Sequence, residues 1–394
     1  MRPVLSTVPL IEVSSQEALL DEDLTIVVRG APPEIEILIQ AEMLDDTGVF
    51  WRSWGLFQSD AFGEVDLSKS ASLEGSYQGI DPMGLLWSMQ PLESEKGVSF
   101  NTKKESFSIR ISACLEKEKI ASCELTRLRK SLDVKEIPIR EEGLVGLLFL
   151  PPSEKPLPLI ITLSGSNGGL EKNRAKLLAS HGFATLGLAY FGVEGLPSSL
   201  KDIPLEYFEK AFTWVKNQPS IDSSHIGIYG VSRGAELALL LGSFFPEFIQ
   251  AIGAVVPSSV IYGGFPEESA PAWLYQNKPL MPSSQISVEK ITAALLLISG
   301  GDDQMWPSAL YAAQIQQKLE AHHSSVFFEH LHYPEAGHGI TIPNLPNPGP
   351  LYYHPIGKCW FPMGGTSLDN QHASQDSWKK TIAFFQKALV NEKL

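Results

Sequence analysis

The sequence predicts an α/β fold, a mostly parallel sheet flanked by helices, preceded by an all-β sandwich. Three observations lead there. The chain has 394 residues, more than one typical domain holds. Up to about residue 135 it reads as short strands between turn signals, and beyond that point strand-like and helix-like segments alternate. Within the second part, "IGIYGVSRGAEL", Ile226 to Leu237, sets a serine between two glycines where an apolar strand runs into a helix.

In the first part, "LTIVVRG", "EIEILIQAEML", "GVFWRSWGLFQ", "SFSIRISACLE" and "KIASCELTRLR" are rich in β-branched and aromatic residues, with turn candidates such as "APPE" and "DDTG" between them. That punctuation suggests a β-sandwich over residues 1–135. No nucleophile–base set stands out there.

From residue 136 to 394 the rhythm differs. "GLVGLLFL" and "LPLIITLSG" read as strands, and "GLEKNRAKLLASHG" as a helix ending at Gly182. "FATLGLAYFG" (strand), "PLEYFEKAFTWVKNQP" (helix), "SHIGIYG" (strand) and "RGAELALLLGSFF" (helix) follow. Then come "IGAVVPSS" and "AALLLISGG" (strands), "PSALYAAQIQQKLEAH" (helix), "SVFFEHLHYP" (strand) and a closing helix near "QDSWKKTIAFFQKAL". Such alternation requires right-handed crossovers and a mostly parallel sheet covered on both faces.

Composition narrows the function. A hydrophobic fraction of 43% and a charged fraction of 19% fit a globular protein with a large core. The net charge of −14 argues against nucleic acid as a partner and repels an anionic substrate at long range. Cys114, Cys123 and Cys359 form no C-x-x-C pair and no zinc-like cluster, so free thiols are expected. The opening "MRPVLSTVPLIEV" lacks the pattern of a signal or transit peptide, no apolar run reaches membrane-spanning length, and the final "NEKL" matches a peroxisomal address only in its last two residues. A cytoplasmic location is expected.

Ser232 gains its meaning from context. A strand, a tight turn through Gly230-Val231-Ser232-Arg233-Gly234 and a helix make a nucleophile elbow, in which side chains at 230 and 234 would clash with neighbouring strand and helix. The base and acid arrive in the order this architecture delivers them. Asp303 in "GGDDQMW" and His338 in "EAGHG" each follow a predicted strand, so His338 would take the Ser232 proton and Asp303 would hold the imidazole tautomer. Asp302 is the rival acid; as the first of the two after the glycines it is better suited to shape the turn. His225, His322, His323, His330 and His332 fall at element ends or within a strand and read as structural. His354 and His372 lie in less readable sequence; they read as surface residues, with an approach to the site left open. The loop "TLSGSNGGL" follows a strand and precedes a helix, where an oxyanion hole belongs. Its donors are expected to be the backbone N–H groups of Arg233 and Ser166, with Gly165 and Asn167 as neighbours able to substitute. The loop lacks the G-K-[ST] ending and the G-x-G-x-x-G spacing of nucleotide cradles. No metal or organic cofactor is implied.

The sequence also resembles the acyl-CoA thioesterases grouped with the bile acid-CoA:amino acid N-acyltransferases, over nearly the whole chain. "LEGSYQGIDPMGLLWSMQP" is similar to that family's G-S-x-x-G-x-x-P-M-G-L-L-W segment, and "SGSNGGLEKNRAKLLASHGFATLGLAYFG", "PLEYFEKA", "GGDDQMW", "YPEAGH" and "HASQDSWKK" match in order. The resemblance implies an immunoglobulin-like sandwich before an α/β-hydrolase domain, with a triad on Ser232, Asp303 and His338. It also implies an acyl-CoA substrate: family members with serine at the nucleophile behave as thioesterases, and the amino-acid acyltransferase carries cysteine. Asp303 follows Ser232 by 71 residues, a shorter interval than the family leads one to expect. The shortening falls around "IYGGFPEESAPAWLYQNKPLMPSSQ", the segment expected to shape the acyl pocket. Arg233, an uncommon charge beside the nucleophile, is expected at the surface or against an anionic part of the substrate.

Overall fold

The computed structural model describes residues 8–92, 100, 102, 104–347 and 349–390. The chain separates into two compact units, Met1–Arg129 with Ile342–Gly349, and Lys130–Thr341 with Pro350–Leu394. Two contiguous halves meeting at 135/136 were expected; Ile342–Gly349 instead returns to the first unit. There the Asn344 side-chain amide donates to the Leu20 carbonyl at 3.0 Å and the Asn347 N–H to that of Trp87 at 3.3 Å. A tether between residues so far apart leaves no local period in the sequence.

The first unit is built of two sheets. Its longest strands, Glu36–Leu44, Phe50–Gln58, Ser106–Leu115 and Glu118–Leu128, pair antiparallel and cover four of the five segments expected; the fifth is Ile26–Arg29. Glu36–Leu44 and Phe50–Gln58 alternate strictly, with Ile37, Ile39, Ala41 and Met43 buried along one face.

The second unit holds an eight-stranded sheet. Its strands are β1 (Lys135–Glu141), β2 (Leu144–Leu150), β3 (Leu157–Leu163), β4 (Ala184–Ala189), β5 (Ile221–Val231), β6 (Ala251–Val255), β7 (Ala294–Gly300) and β8 (Phe328–Tyr333). Their spatial order is β1-β2-β4-β3-β5-β6-β7-β8. β2 pairs antiparallel with both β1 and β4, and every later pairing is parallel. The main helices are α1 (Lys172–Ser180), α2 (Glu206–Lys216), α3 (Arg233–Phe244), α4 (Ser308–Ala321) and α5 (Ser367–Leu389). Among the described residues, no helix is long and apolar enough to cross a membrane.

Burial on both faces explains the near-continuous apolar runs of β4, β6 and β7, in which every residue is buried. Along β6, Ile252 packs toward Gly242 of α3, and its neighbour Gly253 packs toward Phe385 of α5, on the opposite face. α5 begins eight residues before the expected "QDSWKK" stretch because Thr366 caps it, its hydroxyl accepting the Asp369 N–H at 3.1 Å. β1 went unread because six of its seven residues are exposed and only Ile139 is buried.

The parallel registers place the ends of β3, β5, β6, β7 and β8 along one edge: Leu163 lies opposite Gly230, Val231 opposite Val255, Val255 opposite Ile298 and Gly300 opposite Tyr333. A site built from the following loops therefore depends on the fit of sheet and helix. Phe385, fully buried against Tyr229, Phe183 and Phe384, is central to that fit. Phe385→Ala is expected to cost about 3–5 kcal/mol of stability, read as a lowered urea midpoint; an unchanged midpoint would contradict this packing account.

Candidate active site

The elbow is set by backbone contact. A Cβ on Gly230 would lie 2.1 Å from the Gly234 carbonyl oxygen, and one on Gly234 would lie 2.5 Å from that of Leu163. Glycine at both positions lets α3 start directly behind β5 and against the end of β3. Ser232, between them, adopts φ 58° and ψ −121°, a conformation costly for a residue with a Cβ. Its N–H donates to the Val255 carbonyl at 2.9 Å. The strand runs on to Val231, into the expected turn, because Gly230 and Val231 still pair with Ala254 and Val255 of β6.

His338 reaches this serine from the loop after β8. Its Nε2 lies 2.9 Å from Ser232 Oγ, and its Nδ1 lies 2.9 Å from Asp303 Oδ2 and 3.1 Å from Oδ1. A carboxylate facing Nδ1 calls for the proton on that nitrogen, leaving Nε2 to accept from the Ser232 hydroxyl. Asp303 Oδ1 also accepts the N–H groups of Met305 at 3.0 Å and Trp306 at 3.2 Å. The Asp303 side chain is almost wholly buried and so is that of His338. The His338 loop is fixed from α5: Asn370 Oδ1 accepts the Gly337 N–H at 2.7 Å, and its amide donates to the Gly364 carbonyl at 3.1 Å.

Asp302 points elsewhere. It accepts the Gly365 N–H at 2.8 Å, a bond that lowers its pKa below the ordinary carboxylate value, and it braces the turn. Trp306 donates its indole N–H to the Val256 carbonyl at 3.1 Å and stands edge-on to the His338 ring, centroids 5.5 Å apart. His330 and His332 share the Ser299 hydroxyl at 2.8 and 3.2 Å within the sheet, and His372 is exposed on α5.

Ser232 opens into a cavity of about 380 Å³. Ile261, Tyr262 and Phe265 contribute one wall from the segment expected to shape the acyl pocket, with Val260 just before it, and Met305 and Trp306 contribute another. Ser166 also lines it, and the Cβ position of Gly165 lies 4.0 Å from Ser232 Oγ. The backbone N–H groups of Ser166 and Arg233 meet no backbone acceptor among the described residues. Arg233 is the first residue of α3, whose N-terminal N–H groups and dipole favour negative charge. No group of three His, Cys, Asp or Glu side chains among the described residues is arranged to hold a metal ion.

Two expectations are corrected. Arg233 is not a surface residue: its side chain is buried, with Nε 3.1 Å from Glu236 Oε2, and its NH2 group donates to the Tyr262 carbonyl at 3.2 Å. Glu236, wholly buried, accepts the Trp273 indole N–H at 2.7 Å and the Tyr262 N–H at 3.2 Å. Burial raises the Glu236 pKa, opposed by Arg233. The charge beside Ser232 is thus countered within α3 itself. His354 is not a surface residue either, being 2% exposed and part of the cavity wall. It sits on a hairpin, β9 (Leu351–His354) and β10 (Cys359–Pro362), that follows the Pro-rich "IPNLPNPGP" and showed no clear period. Asn370 and Trp306 were likewise missed as supports, since their partners are distant backbone groups.

An eight-stranded sheet of this order, with a serine on a strained strand-to-helix turn and an acid and a histidine after two later strands, defines an α/β-hydrolase. The chain belongs to the acyl-CoA thioester hydrolase/BAAT family: the family's N-terminal region matches residues 21–141, and its C-terminal region matches residues 203–265 and 267–391. It is 33% identical to mouse acyl-coenzyme A thioesterase 6, the match covering 95% of each chain. It is 32% identical to rat acyl-coenzyme A thioesterase 1 over 94% of each, and 31% identical to rat mitochondrial acyl-coenzyme A thioesterase 2 over 94% of this chain and 87% of the relative.

Because the Arg233–Glu236 pair is buried, removing one partner strands the other. Glu236→Gln is expected to destabilise the protein by about 3–5 kcal/mol, measured by urea unfolding; unaltered stability would show that Arg233 does not depend on this carboxylate.

Proposed function

We propose that the protein hydrolyses acyl-CoA thioesters through an acyl-serine intermediate on Ser232. The observation that carries the reading is the unbroken line Asp303–His338–Ser232, with 2.9 Å at each step, at the mouth of a largely apolar cavity. His338 Nε2 accepts the hydroxyl proton as Ser232 Oγ bonds to the thioester carbon. The oxygen that gains charge meets the N–H groups of Arg233 and Ser166. His338 then gives the proton to the departing CoA sulfur. In the second half the same imidazole takes a proton from water, whose oxygen attacks the acyl-serine, and the carboxylic acid leaves as the proton returns to Ser232.

Serine rather than cysteine supports hydrolysis. An acyl-cysteine is itself a thioester, suited to passing its acyl group to an amine, whereas an acyl-serine is an ordinary ester left to activated water. The relatives named as acyl-coenzyme A thioesterases support the leaving group. The reading includes a cytoplasmic location, supported by the free thiols Cys114, Cys123 and Cys359, which a reducing compartment preserves.

Ser232→Ala is expected to lower acyl-CoA turnover by roughly 10⁴-fold or more, to lose fluorophosphonate labelling and to keep its thermal unfolding midpoint. Product analysis with and without glycine or taurine is expected to give free acid in both cases. Full activity in Ser232→Ala, or amide as the main product, would overturn the proposal.

A further inference from the structure

We propose that the Ser166 side chain, beyond its backbone N–H, is an oxyanion donor, and that His354 is the positioning residue that aims its hydroxyl proton into the cavity. The inference rests on the reading of Ser232 as the attacking group and extends it to a pair of residues outside the Ser232–His338–Asp303 line.

His354 Nε2 lies 2.9 Å from Ser166 Oγ, and both residues line the cavity into which Ser232 opens. A second Ser–His dyad is the first thought, but the other side of the ring excludes it. His354 Nδ1 accepts two backbone N–H bonds, from Ile356 at 3.2 Å and Gly357 at 3.1 Å. A nitrogen that accepts has no proton, so in the neutral ring the proton sits on Nε2. Nε2 therefore donates to Ser166 Oγ and is not a base for it. The ring is only 2% exposed, with the Phe265 ring centroid 4.5 Å away and that of Phe361 5.7 Å away. Burial lowers its pKa, which keeps the ring neutral.

With its oxygen accepting from His354, the Ser166 hydroxyl has its own proton to give, and no protein acceptor for it is recorded among the described residues. The same hairpin grips the loop a second time, one residue on: Asn167 Nδ2 donates to the Tyr352 hydroxyl at 2.7 Å. Tyr352 and His354 are two apart on β9 and so share a face. The loop is thus held at two successive residues, Ser166 and Asn167. A donor preset in a cavity with little water stabilises an oxyanion far more than the same donor in bulk solvent.

The test uses the full chain with an acyl-CoA and, separately, a p-nitrophenyl acyl ester, which passes through the same tetrahedral intermediate. Ser166→Ala removes one oxygen atom and is expected to lower kcat about 10²-fold on both substrates, with KM held within about twofold. Inhibition by a trifluoromethyl ketone, whose adduct on Ser232 carries the tetrahedral oxyanion, is expected to weaken by a similar factor. His354→Ala is expected to match Ser166→Ala, and the double variant to fall no more than about threefold below either single one. His354→Gln, whose amide can still donate to Ser166, is expected to regain at least about tenfold over His354→Ala. A Ser166→Ala kcat within about threefold of the parent, or a His354→Ala loss undiminished in the Ser166→Ala background, would overturn the inference. Should the parent cleave the ester and not the acyl-CoA, the substrate proposal fails while the Ser166 result on the ester still decides this one.

Discussion

The backbone of Ser232 is the constraint on which the site depends. At φ 58° and ψ −121° it lies where a side-chain-bearing residue incurs a strain of about 1–3 kcal/mol. It is held there by pairing on one side and close packing on the other. Ser232 N–H is tied to Val255, and the chain behind it passes so close to α3 and β3 that only hydrogen fits at Gly230 and Gly234. The strained turn brings the hydroxyl to His338 and starts α3 at the same point. In the proposed reaction one turn would thereby fix both attack and charge stabilisation, and the buried sheet beneath supplies the rigidity that keeps it.

Beside that turn charge is matched locally, while the exposed Glu268 carboxylate also lines the cavity. Arg233 is countered by Glu236 one helical turn along, and both are buried, so the wall offers an acyl chain the rings of Tyr262, Phe265 and Trp306 rather than a bare cation. The net charge of −14 acts on an anionic CoA only from outside, and at physiological ionic strength it is screened beyond about 8 Å. Docking of the CoA portion therefore depends on groups near the cavity mouth more than on the overall field.

Much of this was legible in the sequence, for physical reasons. Strands buried on both faces, such as β6 and β7, read as unbroken apolar runs; Asp303 follows β7, Ser232 follows the buried end of β5 and His338 follows the less buried β8, so their order along the chain brings them to one edge. Elements without that pattern were missed. β1 shows solvent six residues of seven, and the start of α5 is polar and announced only by Thr366 and Asp369. The hairpin after Pro350 alternates over just four residues per strand, which hid His354. Its partner Ser166 lies 188 residues away, and no spacing within a sequence encodes such a contact. The burial of Arg233 was not read because its counter-charge, Glu236, is assigned to it only once α3 is seen to be buried almost throughout.

The central claim is that acyl groups pass through Ser232. The most direct measurement is rapid acid quenching of the protein mixed with excess acyl-CoA, followed by mass spectrometry of its peptides. The account predicts an acyl adduct on the peptide bearing Ser232, appearing no later than the first released CoA and absent from Ser232→Ala. Full-rate release of CoA with no adduct on that peptide, or with the acyl group on Ser166 instead, would contradict it.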